Sequence, residues 1–171
     1  MEDLKYPVGQ FRLDNEPDTQ KREEWIRTIE DLPGRLKSAL EGISQAKLDS
    51  PYRPEGWTIR QLVHHIADSH LNAFCRFRLV LTEDHPTIRT YLQDGWGDLE
   101  DSKNAPIELS ILIIEGLHGR WSILLKSMTD CDFQAEFNHP EWGTLNLESL
   151  LQIYAWHSRH HLAHIQNALE A

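Results

Sequence analysis

Four stretches of this chain repeat apolar residues at spacings of three and four, a periodicity that points to a helical architecture. The first begins near Pro17 and carries Trp25, Ile29, Leu32, Leu36, Leu40 and Ile43, with a bend or interruption expected at Pro33-Gly34. The second follows the turn formers of Asp49 to Gly56, takes Thr58 as its N-cap and runs from Ile59 to about Leu81. The third spans about Pro106 to Met128 with Leu109, Leu112, Ile113, Leu117, Trp121 and Leu124 as its stripe, and the fourth covers Leu147 to Leu169. The first fifteen residues read as an irregular arm. Between Asp84 and Pro106 the periodicity fails, which predicts a long loop with at most one helical turn, a feature that is often functional. Phe133 to Leu145 alternates weakly around Pro-Glu-Trp-Gly and predicts a small hairpin. The expected fold is all-α, a four-helix bundle with a long loop and a hairpin-like insertion before the last helix.

The 171 residues contain no internal repeat or linker, so a single domain over 1–171 is expected. Seventeen Lys and Arg against 27 Asp and Glu leave a formal charge of -10, which repels a phosphate backbone and argues against a nucleic-acid partner. No apolar run reaches the ~20 residues of a membrane span. The opening MEDLKYPVGQ lacks the apolar core of a signal peptide, and the expected address is the cytoplasm. Cys75 and Cys131 have no basic neighbours at short spacing and read as inert.

Seven of the 10 histidines fall in two windows: His64, His65 and His70 in the second predicted helix, and His157, His160, His161 and His164 in the last. The last window holds two i, i+4 pairs, either of which stacks on one helix face and can grip one metal ion. At ~100° per residue, His161 lies about 40° from His157, within the apolar stripe of Leu147, Leu150, Tyr154 and Ile165, whereas His160 lies about 60° the other way. His157 and His161 therefore point inward and His160 toward the rim. A metal in a bundle is held from facing helices, so a third ligand is sought in the first window. Periodicity puts His70 nearest the centre of that apolar face, His65 at its edge and His64 farther out. Ser158 stands where the zincin pattern needs Glu.

The strings PYR-x-x-GWT-x-RQ-x-VHH-x-ADSH (Pro51 to His70), LHGRW (Leu117 to Trp121) and Y-x-WHS-x-HH-x-AHI (Tyr154 to Ile165) resemble the YfiT-type metal-dependent hydrolases of the DinB-like superfamily. The similarity covers nearly the whole chain. It implies a four-helix bundle with one divalent metal per chain, zinc or nickel, held by His65, His157 and His161. His65 rests mainly on this resemblance. The resemblance further implies a cytoplasmic homodimer and a relation to bacillithiol transferases, which use the metal to activate a thiol.

Three neutral imidazoles leave a divalent ion an open position, the arrangement of a catalytic site. Activation of water there predicts hydrolysis of a small-molecule amide or ester. Activation of a low-molecular-weight thiol predicts S-transfer instead. A non-catalytic metal-binding module is a third reading, in which a fourth protein ligand such as His70 closes the site. Asp68, one turn after His65, is the candidate to orient a ligand or accept a proton, because metal-bound imidazoles donate their other N–H to a carboxylate or carbonyl. Arg53, Arg60 and Arg76 suit an anionic substrate or local acids. Trp57, Trp121 and Trp156 flank the motifs, and core packing is expected for at least two of them.

Overall fold

A computed structural model describes residues 2–170 of the protein. Its elements are α1 (Glu2–Lys5), α2 (Thr19–Leu40), α3 (Gln45–Leu48), α4 (Ile59–Thr82), α5 (Gln93–Gly97), α6 (Glu100–Asn104), α7 (Ile107–Ser127), α8 (Asp130–Phe133), β1 (Glu136–His139), β2 (Gly143–Asn146) and α9 (Leu147–Glu170). The four long helices α2, α4, α7 and α9 form the expected bundle.

Three of the four long helices start where side-chain chemistry satisfies free N–H groups; α7 starts after Pro106 with no side-chain cap. Asp18 accepts from the Lys21 N–H at the start of α2. Thr58 and Gln61 form a reciprocal capping box on α4. The Asn146 side chain accepts from the Ser149 N–H at the start of α9. Of the bend or interruption expected at Pro33-Gly34, the interruption is absent: α2 runs unbroken through Pro33, with Ile29, Leu32, Leu36 and Leu40 buried on both sides of it.

The helices pack in an unusual ring. α2 lies against α7 and α9, and α4 lies against the same two, so the consecutive pairs α2–α4 and α7–α9 sit diagonally. The connections must therefore cross an end of the bundle. The first crosses through α3 and a turn at Pro51–Thr58; the second crosses through α8 and the antiparallel β1–β2 hairpin, registered Glu136 with Asn146 and His139 with Gly143. The long loop after α4 differs from expectation by containing two short helices, α5 and α6, both packed on α4.

The stripe expected for the third helix is also corrected. Leu109, Leu112 and Ile113 are exposed, and α7 instead buries Ile107, Ile114, Leu117, His118, Trp121 and Leu125. The core divides into two apolar clusters. One contains Ile29, Phe77, Trp121 and Tyr154; the other contains Leu32, Ile66, Ile114 and Leu162. Each long helix passes from one cluster to the other, between Ile29 and Leu32, Ala67 and Ala73, Ile114 and Leu117, and Tyr154 and Leu162, and His70 and His157 fall in these intervals.

Candidate metal centre

At this boundary α4 and α9 bring one ring nitrogen each of His65, His157 and His161 within 4.8 Å of one another. The His157 and His161 rings meet edge to face at 4.3 Å between centroids, and the His65 ring lies 5.3 Å and 5.0 Å from them. The Nε2 atoms of His157 and His65 are 3.3 Å apart. Two imidazole nitrogens that share a tetrahedral ion at ~2.05 Å each are ~3.3 Å apart, so the spacing fits a common divalent ion.

The electrostatics fit as well. Burial pushes His65 down to about 4, and burial together with neighbouring imidazoles carries His157 and His161 well below the ordinary histidine range. All three rings are neutral at pH 7, the form that donates a lone pair. A neutral imidazole set of this kind suits zinc, nickel, copper or iron over calcium or magnesium.

His160, His161 and His164 form a second group within 4.8 Å, sharing His161. This one lies on a single helix. His164 Nε2 is occupied by the Leu4 and Lys5 carbonyls at 3.1 and 3.2 Å, and its Nδ1 lies 3.4 Å from His161 Nδ1. His160 departs from its expected rim position: it is 7% exposed and stacked on Trp156 at 4.3 Å. His64 is likewise buried, with Ser110 Oγ at 2.7 Å and the Ala105 carbonyl at 3.2 Å, which marks it as a packing residue tying α4 to α7.

His70 does not join the ligand group. It is fully buried behind His157, with Nε2 3.0 Å from His157 Nδ1 and Nδ1 2.9 Å from Nε2 of His118. His118 Nδ1 in turn lies 2.6 Å from the Ile29 carbonyl. Sequence reasoning missed His118 because the stripe chosen for its helix pointed elsewhere. The available signal was its i, i+4 spacing from Ile114 and its place one residue after Leu117.

Asp68 is also outside the group. Among the described residues, no hydrogen bond joins its carboxylate to His65, His157 or His161. Burial, with Asp101 adding to it, raises Asp68 to about 6.

A cavity of about 360 Å3 opens over the three rings, with Tyr52, Arg53, Trp57, Asp94, Trp156 and His160 on its walls. The wall residues are held from below. Gly56 closes the turn before α4, where a Cβ would lie 2.8 Å from Arg53 Cγ, and at Gly97 of α5 a Cβ would lie 3.1 Å from the Trp57 ring. Gln61 Nε2 donates to the Gly97 carbonyl at 2.8 Å, fixing α5 and with it Asp94 beside the cavity. Trp121 is fully buried in the core, Trp57 packs against the second apolar cluster while also lining the cavity, and Trp156 lines the cavity. Arg60 pairs with Asp49, Gln45 and the Ala105 carbonyl, and Arg76 with Tyr154 and the Arg89 carbonyl. Arg53 makes no salt bridge among the described residues and stays on the cavity wall. Cys75 and Cys131 are exposed thiols away from this cavity.

The chain is similar over nearly its full length to known proteins. A Bacillus mycoides (strain KBAB4) protein named "Putative metal-dependent hydrolase BcerKBAB4_2443" is 45% identical over 170 residues, covering 99% of this chain and 98% of that one. A Bacillus cereus (strain 03BB102) protein named "Putative metal-dependent hydrolase" is 47% identical over 165 residues, 96% of this chain and 95% of its own. The solved structure of YfiT from Bacillus subtilis, described as a probable metal-dependent hydrolase with an unusual four-helix bundle topology, superposes with a TM-score of 0.95 at 43% identity. That likeness covers 98% of this chain and 97% of YfiT. The DinB superfamily model matches residues 22–165, a span that contains the three converging histidines, and the chain belongs to that superfamily.

Proposed function

We propose that this protein is a metal-dependent hydrolase of small molecules whose divalent ion, zinc or nickel, is held by His65, His157 and His161. The observation that carries this reading is three neutral imidazoles from two facing helices converging beneath an open cavity of about 360 Å3. The names borne by the relatives support the same reading. Held by His65, His157 and His161, a divalent ion would supply Lewis acidity toward water and a carbonyl.

The chain's own residues complete the chemistry. Asp94 is a carboxylate on the cavity wall and is the proton acceptor we assign; Asp68, which lies off that wall, is not required for it. Trp57 and Trp156 flank the rings and limit the entry of bulk water. Arg53, free of acidic partners among the described residues, recognises a carboxylate or other anionic substituent on the substrate. A metal-storage site closed by His70 is disfavoured because both nitrogens of His70 are engaged with other histidines.

Arg53 also supports a second reading, S-transfer from an anionic low-molecular-weight thiol. Metal-loaded protein assayed on small carboxylate-bearing esters and amides is expected to hydrolyse at least one, with loss of turnover in His161→Ala. Calorimetric titration of a thiol panel, bacillithiol included, separates the two. Metal-dependent micromolar thiol binding without hydrolysis moves the function to S-transfer.

A further inference from the structure

The missing N–H of Pro33 has a partner-sized consequence in the middle of α2. In a helix the N–H of residue 33 bonds the carbonyl of residue 29, and proline both lacks that N–H and crowds that carbonyl. The Ile29 carbonyl is thereby released inside the bundle, where it lies 2.6 Å from His118 Nδ1. A carbonyl only accepts, so His118 carries its proton on Nδ1 and leaves Nε2 as a bare lone pair. That lone pair is 2.9 Å from His70 Nδ1, which must then be the protonated nitrogen of His70. The bare Nε2 of His70 lies 3.0 Å from His157 Nδ1, so His157 is protonated there too. What remains is His157 Nε2, unprotonated and facing His65 Nε2.

We infer that Pro33, His118 and His70 are positioning residues for the metal site: one carbonyl released by a proline sets the tautomers of three stacked and abutting histidines, and thereby keeps His157 Nε2 bare for the ion. The relay takes one group from each long helix in ring order, α2 to α7 to α4 to α9, so it holds its polarity only while the whole bundle is assembled. It deepens the proposed function and rests on that reading only where it names His157 as a ligand. The same device is present in smaller form at His161, whose Nδ1 meets His164 Nδ1 while His164 Nε2 donates to the carbonyls of α1.

Long-range 1H–15N correlation on the metal-free, 15N-labelled chain reads the tautomers directly. Nδ1–H is expected on His70, His118 and His157, the minor form of free histidine; Nε2–H on His157 overturns the relay. In His118→Phe the ring is kept and the acceptor lost, so His70 and His157 revert toward Nε2–H and the Kd for Zn2+ rises ~10- to 100-fold. A His118→Phe chain that melts earlier but keeps both tautomers and the wild-type Kd overturns the relay in favour of plain packing. Should that variant not fold, Pro33→Ala carries the test, because it improves helix propensity while returning an N–H to Ile29. A severalfold weaker Zn2+ affinity with less Nδ1–H on His118 is expected, and unchanged values overturn the part assigned to Pro33. A wild-type chain with the stated tautomers that binds no Zn2+ supports the relay and contradicts the ligand assignment instead.

Discussion

A buried imidazole costs free energy to charge, and this protein stacks several of them in one layer. His65, His118 and His160 are each pushed down to about 4 by burial. In the unfolded chain they titrate near the ordinary 6.5, so between pH 6.5 and 4 the unfolded state binds more protons and folding weakens as the pH falls. Their contribution is complete above pH 6.5. Asp68 works in the opposite sense: raised to about 6, it favours the folded state below its ordinary value of 3.8 and loses that contribution as the pH rises through 6. The histidines outnumber it. Metal-free protein is therefore expected to lose stability from pH 6.5 downward, by ~1.4 kcal/mol per pH unit for each of His65 and His118, in urea melts at stepped pH. Melting midpoints flat between pH 6.5 and 5 would contradict neutral buried rings. At this scale the sequence was partly legible. Helical phase alone selects His157 and His161, because α9 has one apolar side. His118 was hidden because apolar residues near the start of α7 lie on more than one side, and Leu109, Leu112 and Ile113 mimic a core stripe while lying in solvent.

The elements hold the layer together by few but buried polar links. Arg22 of α2 donates from Nε and NH2 to the two Glu148 oxygens of α9 at 2.8 and 2.7 Å, and its NH1 pairs with Asp130. The Glu148 side chain is 4% exposed and the Arg22 side chain 15%. Arg22→Met leaves that carboxylate buried without its partner and is expected to destabilise the fold by ~3 kcal/mol in urea titration. Adding Glu148→Leu should recover most of the loss. Equal destabilisation in the single and double variants would show that packing of the arginine stem, not the pair, is what matters. The Asp18 cap of α2 was not singled out, whereas the capped start of α4 was readable from Thr58, and the hairpin from its Pro-Glu-Trp-Gly turn. The unbroken α2 was not, since a proline's local cost is overruled here by burial on either side of it. α5 and α6 were hidden for the reverse reason: neither has a side-chain cap, and contact with α4 supports both.

At the scale of the whole molecule, a bundle with two diagonal connections gathers its four helices around one polar layer between two apolar cores. The expectation of a four-helix bundle survives, but the order of helices around the ring is set by tertiary packing, which no local pattern encodes. A formal charge of -10 repels a phosphate backbone, and among the described residues no helix is long and apolar enough to cross a membrane. An ion that binds the folded layer and not the unfolded chain stabilises the bundle through linkage, by ~4 kcal/mol at a thousandfold excess over its Kd. The site therefore belongs to the architecture as much as to the chemistry. Two histidine trios compete for that ion on geometry alone, His65–His157–His161 and His160–His161–His164. Equilibrium titration of metal-free protein with Zn2+ decides between them. One ion per chain is expected for the wild type and for His160→Ala, with binding weakened at least a hundredfold in His65→Ala and His157→Ala; binding retained by His65→Ala and lost in His160→Ala would contradict the central claim.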